Sequence, residues 1–176
     1  MKTLYLFRHG DAKPEEDSDY SRELSEQGIT MSETMSDYLK TEGTVVDRII
    51  SSGAPRASAT AELIAEKLSY PVNNIEINDT IYDAGRGDEL LPLIHNTPES
   101  ILSLMIVGHN PVLSDLATML VKNGLKIDMS KSSVVKIEFD STPWKDIDNS
   151  SGTIVFYKKP VNDGIETLIH SEPHFS

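Results

Sequence analysis

The sequence predicts an α/β fold, a three-layer α/β/α sandwich with a mostly parallel central sheet. Three short apolar runs support this prediction, because each is long enough for a buried strand and too short to span a membrane: residues 4–7, 44–50 and 101–107. Segments with helical spacing follow these runs, and strands that alternate with helices form parallel sheets with helices on both faces. Near the end of the chain, residues 133–139 alternate apolar and polar side chains, which indicates an antiparallel addition to the sheet.

The first two helices are predicted from their end signals and apolar spacing. An exposed loop over residues 13–23 is followed by a helix that begins near Ser25, a plausible N-cap, and ends near Lys40. A second helix begins at Pro55, whose missing N–H costs nothing in a first turn, and continues to Leu68.

The second half of the chain continues the alternation. Residues 75–77 predict a short strand and residues 89–95 a helix, before the third apolar run. Residues 112–121 predict the helix that follows this run, and residues 153–157 predict a strand antiparallel to residues 133–139. Because neither a repeat nor a linker is visible, we expect one domain over residues 1–160 and a C-terminal tail over residues 161–176.

The composition argues against several classes of function. A net charge of -12 disfavours a nucleic-acid or membrane partner, because such binding depends on neutralising phosphates with Lys and Arg. The absence of cysteine excludes disulfides and phosphatases that use a cysteine nucleophile. No signal-peptide pattern is visible, so we expect a cytoplasmic location. The histidine spacings typical of metal sites are missing, and no metal or other cofactor is expected.

Charged and imidazole side chains follow the predicted parallel strands where each strand ends. Arg8 and His9 come directly after the first strand, Arg56 lies just beyond the second, and His109 follows the third. The carboxyl ends of parallel strands meet at one edge of a sheet, which is where ligands bind in open α/β folds. We therefore expect these four side chains to form one site.

This combination of side chains fits the transfer of a phosphoryl group to His9. Two guanidinium groups can bind the oxygens of a phosphoryl group and stabilise the charge of its transition state. The same cations lower the pKa of a nearby imidazole, which keeps His9 neutral and able to attack. His109 would donate a further hydrogen bond to the phosphoryl group. The prediction is a metal-independent reaction through a phosphohistidine that water then hydrolyses.

Three separated motifs resemble the histidine phosphatase superfamily, which is phosphoglycerate mutase-like in fold. Residues 8–10 resemble its RHG signature, residues 51–61 resemble its second motif around an arginine, and residues 108–111 resemble its GHxP segment. The small size and residues 11–12 are similar to the SixA-type phosphohistidine phosphatases. The resemblance implies the following site: His9 as nucleophile, with Arg8, Arg56, His109 and Asn110 as the phosphate pocket.

The choice of substrate depends on whether a general acid is present. Larger members of the resembled family have a glutamate acid in the loop after the third strand, where this chain offers Asp83, Asp88 and Glu89. An alkoxide leaving group benefits from such an acid, whereas a nitrogen leaving group is easily protonated. The leading hypothesis is therefore a phosphatase of phosphohistidine on a protein, with a role in signal transduction. The alternatives are a phosphatase of small phosphate monoesters and a non-catalytic phospho-ligand binding module.

Overall fold

The computed structural model describes residues 1–171, in which seven strands form one mixed sheet. The strands are β1 (Lys2–Arg8), β2 (Arg48–Ser51), β3 (Glu76–Ile77), β4 (Ser103–Gly108), β5 (Val134–Phe139), β6 (Thr153–Val161) and β7 (Gly164–His170). Their order across the sheet is β3-β2-β4-β1-β5-β6-β7. The first four strands are parallel to one another, and the last three are added antiparallel. The predicted α/β fold with an antiparallel C-terminal addition is confirmed.

The described residues contain five α-helices, and all but the third lie close to predicted positions. They are α1 (Glu26–Thr41), α2 (Pro55–Lys67), α3 (Thr80–Asp83), α4 (Leu91–His95) and α5 (Val112–Leu120). Short 3-10 turns cover Val72–Asn74, Gly87–Leu90, Lys122–Gly124 and Trp144–Asp146. Within residues 1–171, no helix has the length and apolar character needed to cross a membrane.

Two hydrophobic clusters cover the opposite faces of the sheet. Successive side chains of a strand point to opposite faces, so Leu4 and Leu6 join the cluster that includes α5, whereas Tyr5 and Phe7 join the cluster that includes α1 and α2. Strand β4 is buried along its whole length, as expected of a parallel strand covered by helices on both sides. This arrangement fixes the ends of β1 and β4 beside each other, with Arg8 opposite Gly108.

The sheet extends further toward the C-terminus than predicted. Residues 164–170 were expected to belong to a tail, but they form β7, which pairs with β6. The two-residue turn Asn162-Asp163 connects the two strands, and Asn and Asp are favoured residues in such hairpin turns. The remaining tail residues, 172–176, lie outside the described part of the chain.

A close approach of two glycines joins α1 to the loop after β1. A Cβ atom at Gly10 would lie 2.7 Å from the carbonyl oxygen of Gly28, and a Cβ atom at Gly28 would collide with the backbone of Asp11. The start of α1 therefore packs directly on the loop that carries His9, and only glycine leaves room for this contact.

We expect Gly28→Ala to lower the free energy of unfolding by about 2 kcal/mol. The Cβ atom would meet the backbone of Asp11 and no flexible side chain, so the cost of overpacking lies near the upper end of its usual range, about 3 kcal/mol. The better helix propensity of alanine, about 1 kcal/mol, offsets part of that cost. Gly85→Ala is the matched control, because the nearest atom to its Cβ would be 3.9 Å away. Urea unfolding of both variants measures the difference. Equal stability of the two variants would contradict the predicted backbone collision.

Candidate active site

The ends of β1 and β4 and the first turn of α2 bring His9, Arg56 and His109 together. The imidazole rings of His9 and His109 have centroids 5.0 Å apart, and each residue is only 7% exposed. The Arg56 side chain is 5% exposed, and its charge acts on both imidazoles, as does that of Arg8. The four side chains expected from the strand ends therefore lie close enough at this edge of the sheet for both arginines to act on both imidazoles.

His9 is held in the tautomer that leaves Nε2 free. Its Nδ1 lies 2.7 Å from the carbonyl oxygen of Gly10, which can only accept a hydrogen bond, so Nδ1 carries the proton. The amide N–H of Gly10 in turn donates to Oγ1 of Thr60 in α2, at 3.2 Å, which fixes the carbonyl and the ring on a rigid element. Nε2 of His9 consequently has a lone pair available for attack.

The pKa of His9 is lowered to about 3, so the imidazole is neutral. Burial is the largest cause, the hydrogen bond to Gly10 opposes it, and smaller electrostatic interactions with His109, Arg56 and Arg8 lower the pKa further. The arginines lower the pKa of His9 as expected, but their contribution is secondary, because removal of the ring from water is the largest cause of the lowered pKa.

The hydroxyl of Ser52 orients His109. Oγ of Ser52 lies 2.8 Å from Nε2 of His109 and also accepts a hydrogen bond from the amide of Ala54 at 3.1 Å. Ser52 is fully buried, and donating its own proton to Nε2 is the arrangement that leaves fewest groups unpaired. Nδ1 of His109 then carries the second ring proton. Burial and the charge of Arg56 lower the pKa of His109 to about 4, so this ring is also neutral.

The described residues contain three buried side-chain polar atoms without a hydrogen-bond partner: Nε of Arg8, Nε of Arg56 and Nδ1 of His109. All three are donors, and all three belong to side chains around His9. A buried donor without an acceptor costs free energy, so such groups are uncommon unless a ligand satisfies them. Three donors around a neutral imidazole fit an anion with several acceptor oxygens, such as a phosphoryl group.

We expect neither His9 nor His109 to gain a proton until the pH falls to about 3 and 4, respectively. The unfolded chain protonates each ring near pH 6.5. The unfolded state therefore binds more protons between these limits, and stability falls as the pH decreases from about 6.5 toward 4 and 3. NMR titration of the ring protons measures this directly, with the urea-unfolded protein as the control. A native His9 that titrates between pH 6 and 7 would contradict the burial argument.

Asn110 and Arg8 share a partner in the segment before β5. The Asn110 side-chain amide donates to the carbonyl oxygen of Met129 at 2.8 Å, and Nη1 of Arg8 donates to the same oxygen at 2.8 Å. The amide oxygen of Asn110 accepts from the amide and hydroxyl of Ser114. The structure thus ties Asn110 to the backbone that also holds Arg8, and its predicted contact with phosphate stays a prediction.

The predicted general acids lie on the exposed surface. Asp83, Asp88 and Glu89 are all exposed, and the last two face Arg86, with N–O distances of 3.1 and 3.9 Å. A carboxylate that does contact a site residue is Asp19. Its Oδ2 accepts hydrogen bonds from Nη2 of Arg56 at 3.1 Å and from the hydroxyl of Tyr82 at 2.9 Å.

Two tyrosines complete this side of the site. The ring of Tyr82 lies edge-on to His109 with centroids 5.3 Å apart, and Tyr20 packs edge-on against Tyr82 at 4.8 Å. The hydroxyl of Tyr20 donates to Asp79, which also accepts the amide of Gly53. Asp19 and Tyr20 come from the predicted exposed loop, where the one hint in the sequence is an aromatic residue within an acidic segment.

Comparison with known proteins agrees with the motifs and the fold. Residues 4–80 match the model of the histidine phosphatase superfamily (branch 1). The phosphohistidine phosphatase SixA of Escherichia coli strain K12 is 24% identical over 162 residues, which cover 90% of this chain and 94% of that protein.

Solved structures with the same fold include several described as SixA. The protein histidine phosphatase SixA complexed with tungstate has a TM-score of 0.74 at 22% identity, covering 90% of this chain and 97% of that chain. A putative phosphohistidine phosphatase SixA from Agrobacterium tumefaciens has a TM-score of 0.75 at 23% identity, covering 91% and 99%. These matches confirm the predicted resemblance to the histidine phosphatase superfamily, and they support the predicted enzyme class, a phosphoric hydrolase.

Proposed function

We propose that this chain acts as a histidine phosphatase and removes phosphoryl groups from phosphohistidine on a protein without a metal ion. The observation that carries the proposal is the set of three buried, unpaired donors around His9. They supply the contacts that a phosphoryl group needs, and His9 supplies a neutral imidazole with a free Nε2.

In the first step, Nε2 of His9 attacks phosphorus in line with the leaving group. The bond from phosphorus to the leaving nitrogen breaks, and that nitrogen keeps the electron pair and takes a proton from water. The hydroxide formed in this way is neutralised by the proton that the attacking water releases in the second step. The phosphoryl oxygens accept hydrogen bonds from three donors, Nε–H of Arg8, Nε–H of Arg56 and Nδ1–H of His109. These donors stabilise the negative charge on the oxygens in the transition state. The product of this step is a phosphohistidine at residue 9.

In the second step, water attacks the phosphohistidine and releases inorganic phosphate. The bond between phosphorus and Nε2 of His9 breaks, and the imidazole recovers its lone pair. Nδ1 keeps its proton throughout and stays hydrogen-bonded to the carbonyl oxygen of Gly10. The ring therefore returns to the tautomer in which it began. The net reaction consumes one water and regenerates the free histidine of the substrate.

The carboxylates around the site favour a nitrogen leaving group. Asp88 and Glu89 are exposed and paired with Arg86, and hydrogen bonds from Tyr82 and the arginines lower the pKa of Asp19. Asp19 is therefore not a ready proton donor at neutral pH, and Asp88 and Glu89 face Arg86 on the exposed surface. An alkoxide would leave slowly under these conditions, whereas an imidazole leaves readily.

Two other functions remain as alternatives. Hydrolysis of small phosphate monoesters requires an acid, for which Asp83 or Glu89 would have to turn inward. A non-catalytic phospho-ligand binding module would not need the free lone pair that Gly10 enforces on His9. The name of the Escherichia coli relative supports the phosphohistidine substrate. A cytoplasmic location and a role in signal transduction stay predictions.

The proposal is tested by supplying the purified protein, in the presence of a chelator, with a phosphohistidine-bearing protein and with common phosphate monoesters. Release of phosphate should be faster from phosphohistidine, and Glu89→Gln should change neither rate. Exclusive hydrolysis of monoesters would overturn the substrate. Loss of the monoesterase rate in Glu89→Gln would assign that residue as the acid.

A further inference from the structure

The backbone and the carboxylate of one loop residue hold both terminal nitrogens of Arg56. Nη1 donates to the carbonyl oxygen of Asp19 at 2.7 Å, and Nη2 donates to its Oδ2 at 3.1 Å. Arg56 is buried, whereas the Asp19 side chain is 50% exposed at the rim of the site. This pairing joins the loop over residues 13–23 directly to the pocket.

The pairing leaves one edge of the guanidinium open. A guanidinium presents its N–H groups in a rigid planar fork, with an end carrying the two terminal nitrogens and a side carrying Nε and Nη2. Asp19 occupies the end, while Nε, which belongs to the side, is buried and unpaired. The side of the fork is therefore the edge that remains for a phosphoryl group, and two parallel N–H groups suit two phosphoryl oxygens.

Asp19 is itself fixed by one neighbour in α3 and by one within the loop. Its Oδ2 accepts the hydroxyl of Tyr82 at 2.9 Å, and its Oδ1 lies 3.3 Å from Nη1 of Arg22. Tyr82 belongs to α3, and its ring packs against both Tyr20 and His109. The carboxylate thus has a defined position before any ligand binds. Its hydrogen bonds can therefore hold the long side chain of Arg56 in one conformation.

We propose that Asp19 is a positioning residue, which holds the end of the Arg56 guanidinium so that its Nε and Nη2 edge is aimed at the phosphoryl group. The inference rests on the proposed function and adds to it the residue that preorganises its arginine. Preorganised donors stabilise a transition state without the cost of ordering them during the reaction. Asp19 acts through Arg56, without contact to the phosphoryl group.

The test compares Asp19→Ala and Asp19→Asn with Asp17→Asn, an exposed carboxylate in the same loop. We expect Asp19→Ala to lower kcat/KM for the phosphohistidine substrate by about 10- to 100-fold, since small misplacements of a positioned group have effects of this size. The affinity for tungstate, measured by calorimetry, should fall as well. Asp19→Asn keeps an oxygen acceptor and should recover part of the loss, and Asp17→Asn should match the wild type.

Two outcomes would overturn the inference. Unchanged kcat/KM and tungstate affinity in Asp19→Ala would show that Arg56 needs no such partner. Tighter tungstate binding in Asp19→Ala would show that the carboxylate competes with the phosphoryl group for Arg56. Failure of the proposed function would give a different result, because the wild type would then lack turnover that depends on His9. The tungstate affinities of the Asp19 variants would still test the role of Asp19.

Discussion

Replacement of His9 by asparagine is expected to lower kcat for the phosphohistidine substrate by about 10⁴-fold or more. Removal of a nucleophile from an enzyme with covalent catalysis costs factors of about 10⁴–10⁶, and the remaining rate comes from binding alone. An asparagine amide can still donate to the Gly10 carbonyl oxygen, as Nδ1 of His9 does, so the local structure should survive. The amide nitrogen carries no lone pair for attack on phosphorus.

The same variant should retain its affinity for oxyanions, because the donors on Arg8, Arg56 and His109 are unchanged. Calorimetry with tungstate therefore separates a lost nucleophile from a damaged pocket. Rapid quenching at alkaline pH, followed by intact mass measurement, should detect a phosphorylated wild-type protein and none in His9→Asn. Turnover that survives in His9→Asn would falsify the proposed mechanism.

The buried parallel strands were predictable because their sequences carry strong signals. Strand β4 is covered on both faces and is apolar over nearly its whole length, so its position and its polar end are visible in the sequence. Strand β7 lies at the sheet edge, pairs only with β6 within the described residues, and is mostly exposed. Such a strand has little apolar patterning, which is why it was expected to be a tail.

The candidate site likewise contains residues that the sequence predicts and residues that it does not. His9, Arg56 and His109 follow strand ends, and the regular geometry of a parallel sheet brings strand ends together. Asp19 and Tyr82 reach the site from irregular loops and a short helix, across 37 and 26 residues of chain from Arg56. No periodicity predicts such contacts. The dominant effect of burial on the imidazole pKa values was also invisible in the sequence, since it depends on the packed structure.

Arg56→Lys separates the charge of this residue from its geometry, and we expect it to lower kcat/KM by about 10³-fold. The positive charge remains, but an ammonium lacks the Nε–H that is buried and unpaired in Arg56 and cannot present a planar fork. Loss of one preorganised donor to a transition state costs about 10²–10³-fold, and arginines on phosphoryl groups contribute about 10³–10⁵-fold.

Arg86→Lys is the matched control for this substitution, because Arg86 is exposed and pairs with Asp88 and Glu89 away from the imidazoles. Its kcat/KM should equal that of the wild type. A rate within about threefold of the wild type in Arg56→Lys would mean that positive charge alone is sufficient at this position. A large loss accompanied by an unchanged His9 titration would instead show that Arg56 acts on the phosphoryl group through directed hydrogen bonds, since its charge on the imidazole would be preserved.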